Sequence, residues 1–425
     1  MHFTYGLDDK PGIGELAIFG LQWLAVSVPA ILIIGSVVSA LQPGGSAIAY
    51  MQKLFLVIAL VLLVQVLWGH RLPLVVGPAT VLLIGVLASM EHGVGAINAS
   101  IMIGGAILAL LSATGLFKYL KMLFTPRVIV VILLLIAFTL APVILTLITA
   151  DGVVSPVSNF TFALVFALAL FCAGGLLKGM WKATLAIWAL LLGSLAYYLV
   201  FGTFSVPATN AAILSLPEGL IAPLVVPDAG VLAAFLICFL ALAINELGSI
   251  QSVGGLLQAD RMDERVNRGM TVTGLGNALS GVAGVIGPVD FSLSPGVIAA
   301  TGCASRFALV PAALALMAIG FSPLLITYLS SIPQPVIGIV LAYVMTAQIA
   351  AGLMLGEETR AVASFEDGLV IGIPVLIGTV VAFLPAAIAA GFPATLRPVI
   401  ANGFVVGVVL VLILEHFVYR KRGEA

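Results

Sequence analysis

Charge is what this chain has least of. Only 8% of its 425 residues are Asp, Glu, Lys or Arg, where soluble domains carry about a quarter. That excludes a soluble globular protein, whose water-facing surface needs many more charged side chains. The net charge at pH 7 is −1, so no basic surface is available to neutralise phosphates and nucleic-acid binding is excluded. Cysteine is scarce, and Cys172, Cys238 and Cys303 each stand alone in an apolar segment. They fit small packing residues, with neither a disulfide nor a metal site. The four histidines show no ligand spacing, and no cofactor is expected. There is no His-Glu-x-x-His motif and no nucleophile paired with a base, so the chain does not read as an enzyme. The segment 1–14 is polar and acidic without a basic run, so no cleaved signal peptide is expected.

What fills the chain instead is apolar: 62% of residues are hydrophobic and the mean hydropathy is +1.26, the composition of an all-α polytopic membrane protein. Fourteen spans are expected, near 16–41, 54–69, 72–90, 93–116, 126–148, 159–177, 183–200, 229–250, 270–286, 287–306, 307–325, 335–355, 368–390 and 399–419. With both termini placed inside, Lys10, Arg71, Lys118, Lys121, Arg127, Lys178, Lys182, Arg261, Arg265, Arg268, Arg306, Arg360, Arg420, Lys421 and Arg422 all fall on the inner side. Only Lys53 and Arg397 fall outside. That asymmetry is what the positive-inside rule requires, and it implies a multi-pass protein of the cell (cytoplasmic) membrane with cytoplasmic termini.

One stretch organises the rest. Residues 287–306 read GPVDFSLSPGVIAATGCASR. Pro288 and Pro295 remove backbone donors, and Asp290, Ser292 and Ser294 are polar, so the first half cannot be a lipid-facing helix. From Gly296 the chain turns apolar and helix-competent. A span that is half extended and half helical is tolerated at membrane depth only where it is buried in protein or lines a cavity, and such spans build transporter binding sites. The alternative is a proline-bearing loop between ordinary spans. Gly77-Pro78 interrupts the third span in the same way. Further pairs recur half a chain apart: Pro78 with Pro295, Thr125-Pro126-Arg127 with Pro333-Gln334-Pro335, and Gln22 with Asn245. Seven spans repeated with seven give an inverted repeat.

These residues resemble the nucleobase–ascorbate transporter family, which includes uracil and xanthine permeases. Gly296, Thr301, Ser305 and Arg306 match its signature and the tail that follows, and Phe291-Ser292 matches the residues just before it. Leu21-Gln22, Leu123-Phe124-Thr125-Pro126 and Asn245-Glu246-Leu247-Gly248-Ser249 match further family patterns. The resemblance covers most of the chain. It implies a core domain at 1–124 and 229–325, a gate domain at 125–228 and 326–425, and a homodimer. It also implies alternating access to a small substrate, a nucleobase such as uracil or xanthine, moved with a proton. The extended pieces of spans three and ten would meet at that substrate. The implied substrate-binding set is Gln22, Gly77, Asn245, Glu246, Ser249, Phe291, Ser292, Leu293, Ser294 and Gly296. At the family's polar positions this chain departs: Asn245 stands for Glu, Ser249 for Asp or His, Leu293 for Gln or Glu, Ser294 for Asn and Trp23 for His. It is a divergent member, and a small anion or other solute carried by the same architecture is the alternative.

Carboxylates inside the membrane are costly and mark function. Glu246 and Asp290 are therefore the candidates for proton coupling, against a purely structural role hydrogen-bonded to Ser or backbone donors. Glu246 is rotated by about 100° from the family's Glu position, so it reaches a cavity only if the helix unwinds at Gly248. Glu415, beside His416, is expected at the membrane interface. Gln22, Asn98 and Asn277 read equally as helix–helix hydrogen bonds, and Phe291 as packing or as a stacking surface for a planar ligand.

Overall fold

The computed structural model describes residues 3–41, 46–117, 123–203 and 210–419. Lys118, Lys121, Arg420, Lys421 and Arg422 of the inner-side set lie outside them. Among the described residues eight helices are long and apolar enough to cross a membrane: Ile13–Ala40, Ala47–Leu67, Val94–Ala113, Pro126–Ile148, Pro156–Leu176, Ala229–Leu256, Gln334–Glu358 and Phe365–Ala382. The pair Arg306–Gly320 and Pro323–Leu329, bent by 96°, makes a ninth if taken as one span. The other expected spans take different forms. Thr80–His92, Leu185–Phe201 and Gly403–Val418 are apolar but shorter. Met262–Ala283 carries four charged residues in its first two turns.

The two proline-broken stretches are half strand, half helix. Strand β1 (Val76–Pro78) pairs antiparallel with β2 (Pro288–Asp290), with Gly77 opposite Val289 and Val76 opposite Asp290. Proline donates nothing to a ladder, which keeps the pairing short. Phe291 N–H to Val75 O (2.9 Å) and Ala79 N–H to Gly287 O (2.8 Å) extend it. Thr80–Ser89 follows β1, and Ser294–Thr301 follows β2 with Pro295 in its first turn, where a missing donor costs nothing. Elsewhere helices begin where the sequence supplies caps: Thr125 before Pro126, Ser155 before Pro156, Asp228 to Val231 N–H and Asn402 to Phe404 N–H.

Small residues let the helices close on one another. A side-chain carbon at Gly105 would meet Ala278 N at 2.5 Å, and one at Gly281 would meet Asn98 O at 2.5 Å. This is how Val94–Ala113 and Met262–Ala283 become the most closely packed pair. Ile13–Ala40, Ala47–Leu67, Val94–Ala113, Ala229–Leu256, Met262–Ala283 and Leu309–Gly320 pack chiefly among themselves; so do Pro126–Thr139, Ala141–Ile148, Pro156–Leu176, Gln334–Glu358, Phe365–Ala382 and Gly403–Ile413. The β1–β2 pair sits within the first group.

Candidate functional site

A cavity of about 210 Å³ opens where β2 and the turn after it face the Gln334–Glu358 helix. Its walls are mostly aliphatic, from Val26, Ile33, Val289, Leu341 and others. The polar side chains reaching it are Thr80, Asn245, Ser292 and Gln348, and no charged side chain lines it among the described residues. Phe291 lies on the wall against Gly77, whose missing side chain makes room for the ring. Leu293 also lines the cavity and is 44% exposed.

The polar wall is built by one helix and one turn. Ser249 Oγ donates to Asn245 O (2.9 Å) or to Asp290 O (3.0 Å), and lies 2.9 Å from Ser292 Oγ. Ser292 Oγ reaches Asn245 Oδ1 at 3.3 Å. Ser249 is thus buried behind the wall, where it ties the helix to β2. Ser294 Oγ accepts from Val75 N–H (3.1 Å) and donates to Phe291 O (2.9 Å), so it fastens the turn and does not line the cavity.

Glu246, next to Asn245, points the other way. The helix runs unbroken through Gly248, so the condition for Glu246 to reach the cavity is not met and the rotation of about 100° per residue stands. The Glu246 carboxylate, fully buried, accepts from Thr273 Oγ1 at 2.5 Å and from Asp290 N–H at 2.8 Å. Gln65 Nε2 donates to Thr273 Oγ1 and Gly269 O, both at 2.9 Å, and lies 3.5 Å from Glu246 Oε1. Asp290, also fully buried, has Oδ2 3.1 Å from His70 Nε2. Leu72 N–H donates to His70 Nδ1 at 2.9 Å. That fixes His70 as the neutral tautomer with its proton on Nε2, facing the Asp290 carboxylate. Two acids therefore share a closed compartment behind the cavity wall, with one neutral imidazole and, among the described residues, no cation in contact with either carboxylate.

The remaining candidates separate from this site. Gly296 is exposed in the Ser294–Thr301 helix with open space beside it, and it does not line the cavity. Gln22 is likewise away from it, with a buried Oε1 that has no partner among the described residues. Asn277 donates to Thr273 O and Pro288 O, both at 2.8 Å, and so braces β2. Glu415 is buried and pairs with Arg127 (2.9 Å), which also binds Asp367. One arginine thus reaches both carboxylates. The Ser305-Arg306 tail is structural: Ser305 Oγ donates to Asp9 O (2.6 Å) and Arg306 Nε binds Asp8 Oδ1 (2.7 Å), holding the N-terminal arm.

Sequence reasoning did not single out His70, Gln65, Thr273, Thr80 or Gln348. For Gln348 the signal was present, an amide in mid-span like Gln22. For His70 the only signal was an imidazole directly before a proline-broken span.

The sequence model of the family Xan_ur_permease, described as "Permease family", matches residues 14–387. The chain is 26% identical to a "Putative purine permease" of Clostridium perfringens over 428 residues, 98% of this chain and 93% of that protein. It is 24% identical to a "Putative purine permease" of Bacillus subtilis, over 96% of this chain and 97% of that one. It is 26% identical to a "Putative pyrimidine permease" of Escherichia coli, over 71% of this chain and 70% of that one. In fold it is similar to the transmembrane domain of a cyanobacterial bicarbonate transporter, with TM-score 0.65, 19% identity and coverage of 87% of this chain and 96% of that chain. Murine solute carrier 26 family member A9, an anion transporter in the inward-facing state, gives TM-score 0.60 at 16% identity, over 95% of this chain and 68% of that one. A broken-span strand pair facing a small cavity, in a chain matched along most of its length, has one reading: the chain belongs to the Xan_ur_permease family of permeases.

Proposed function

We propose that the chain is a secondary active transporter for a neutral nucleobase, coupled to protons. The observation that carries this is the cavity itself. It is lined by aliphatic side chains, the Phe291 ring and a few uncharged hydrogen-bonding groups, which suits a planar, uncharged heterocycle. The purine and pyrimidine permeases among its relatives support the same substrate class. In this reading the chain crosses the cell membrane fourteen times as a seven-plus-seven inverted repeat with cytoplasmic termini, and works as a homodimer. Residues 1–124 and 229–325 form the core, and residues 125–228 and 326–425 the gate that rocks against it. Asn245, Phe291, Ser292 and Leu293 meet the substrate; Gly77, Ser249 and Ser294 hold their geometry. Glu246 and Asp290 carry the proton in the compartment behind the wall.

The fold likeness to anion transporters favours a second reading, a small anion. It lacks a counter-charge, since no cationic side chain lines the cavity among the described residues. A thermal-shift series on purified protein separates the two. Uracil, xanthine, hypoxanthine or adenine should raise the melting temperature, because a ligand of the folded state stabilises it. A rise with bicarbonate or sulfate and none with any base would overturn the nucleobase reading.

A further inference from the structure

We propose that Gln348, on the helix facing β2 across the cavity, is a specificity-determining residue that hydrogen-bonds the substituted edge of the base. This rests on the nucleobase reading above. Asn245 and Gln348 are the two side-chain amides lining the cavity among the described residues, and they come from opposite walls. Asn245 is partly engaged, its Oδ1 lying 3.3 Å from Ser292 Oγ, which leaves Nδ2 free to donate. Gln348 has no hydrogen-bond partner among the described residues, although its neighbours in the cavity are Val344, Met345, Ala347 and Ala351. An amide among aliphatic groups leaves its donor and acceptor unsatisfied once water is excluded, which costs free energy unless a ligand supplies both partners.

A primary amide offers one acceptor and a two-proton donor side by side. That pair matches the adjacent donor and acceptor on the edge of adenine, hypoxanthine, guanine, xanthine or uracil, as Gln matches adenine in nucleic-acid recognition. Unsubstituted purine keeps the ring size and the ring acceptors but lacks the exocyclic group. Gln348 therefore distinguishes substituted from unsubstituted bases. Because it sits on the facing helix group, it does so only when that group has closed on the substrate.

The test is a competition series in proteoliposomes, using uptake of labelled hypoxanthine challenged by hypoxanthine, adenine, uracil and unsubstituted purine. It is run on the unaltered protein, Gln348→Leu and Gln348→Glu. In the unaltered protein the best substituted base should outcompete purine. In Gln348→Leu that advantage should shrink about tenfold, because the lost interaction is made only by the substituted edge. Gln348→Glu, which keeps the shape but replaces the donor, should reorder the substituted bases among themselves. An unchanged ranking in both variants, or an equal loss for every competitor including purine, overturns the role assigned to Gln348 and leaves the nucleobase reading standing. No competition by any base in the unaltered protein overturns both.

Discussion

Asn245 and Glu246 are neighbours in sequence and opposites in surroundings. Asn245 faces an apolar cavity across which a second amide waits. Glu246 faces a closed compartment where Thr273 Oγ1 and Asp290 N–H occupy its carboxylate. One residue of helical rotation, about 100°, divides recognition from charge. Where the family pattern this chain resembles has an acid, this site has an amide, and an ionisable group is present one position on and one wall back. In the proposed reading, neutral polar groups at the cavity select a neutral ligand, and an acid pair kept out of its reach changes protonation without repelling or binding that ligand directly. The link between the two is mechanical, through Ser249, which touches Asp290 O on one side and Ser292 Oγ on the other.

The most severe way to break the comparison is to remove the anchor of the closed compartment. Glu246→Leu leaves Asp290 N–H and Thr273 Oγ1 without their buried acceptor and should destabilise the protein by about 2–3 kcal/mol. Loss of detergent-solubilised monodispersity and a fall in melting temperature would show it; an unchanged melting temperature would mean the carboxylate is not the anchor. Glu246→Gln and Asp290→Asn sharpen the same side more gently. Each keeps the size and fixes a neutral form, although Glu246→Gln gives up one of the two acceptors that Thr273 Oγ1 and Asp290 N–H use. The coupling residue's variant should bind substrate with little pH dependence, fail to accumulate it, and still exchange it down its gradient. If both variants concentrate substrate normally, proton coupling through this pair is wrong.

On the cavity side, Asn245→Ala should weaken substrate binding about 10- to 100-fold by removing one hydrogen-bonding group. It should leave the melting temperature of the ligand-free protein nearly unchanged, because the side chain loses only the long, exposed bond from Ser292 Oγ (3.3 Å), and Ser292 Oγ keeps Ser249 Oγ as a neighbour at 2.9 Å. Two glycines give a contrast of smaller scale. Gly77→Ala places a carbon into the Phe291 ring and should impair both folding and uptake, whereas Gly296→Ala meets open space. The latter should be neutral or stabilise by up to about 1 kcal/mol, since glycine is costly inside a helix. Equal effects of the two would mean the Phe291 wall is not held as described. The smallest effect is expected far from both regions. The hydrogen bond and charge of Arg265 hold the exposed Asp260 carboxyl below the usual carboxylate range. Its contribution is present above the ordinary carboxylate pKa and fades as pH falls through the depressed one. Asp260→Asn should therefore change stability at neutral pH only marginally, and transport not at all, by the same proteoliposome assay.

The sequence by itself determined the class of protein, the two broken stretches and the family. Each of these rests on local chemistry: composition excludes water as the main solvent, and Pro78, Pro288 and Pro295 forbid continuous helices at those positions. The signature around Gly296 and Arg306 carried the family correctly, yet Gly296 is exposed and off the cavity lining, and the Ser305-Arg306 pair holds the N-terminal arm. What only the tertiary structure decided is which polar groups share a space. That Val76 lies opposite Asp290 depends on register between segments more than 200 residues apart. His70 meets Asp290, and Gln65 meets Thr273, for the same reason. Gln348 becomes a cavity residue only when its helix is docked across from β2. Periodicity tells which residues share a face of one helix, but the partner of that face is set by packing between helices, and an apolar sequence with few polar landmarks carries little record of it.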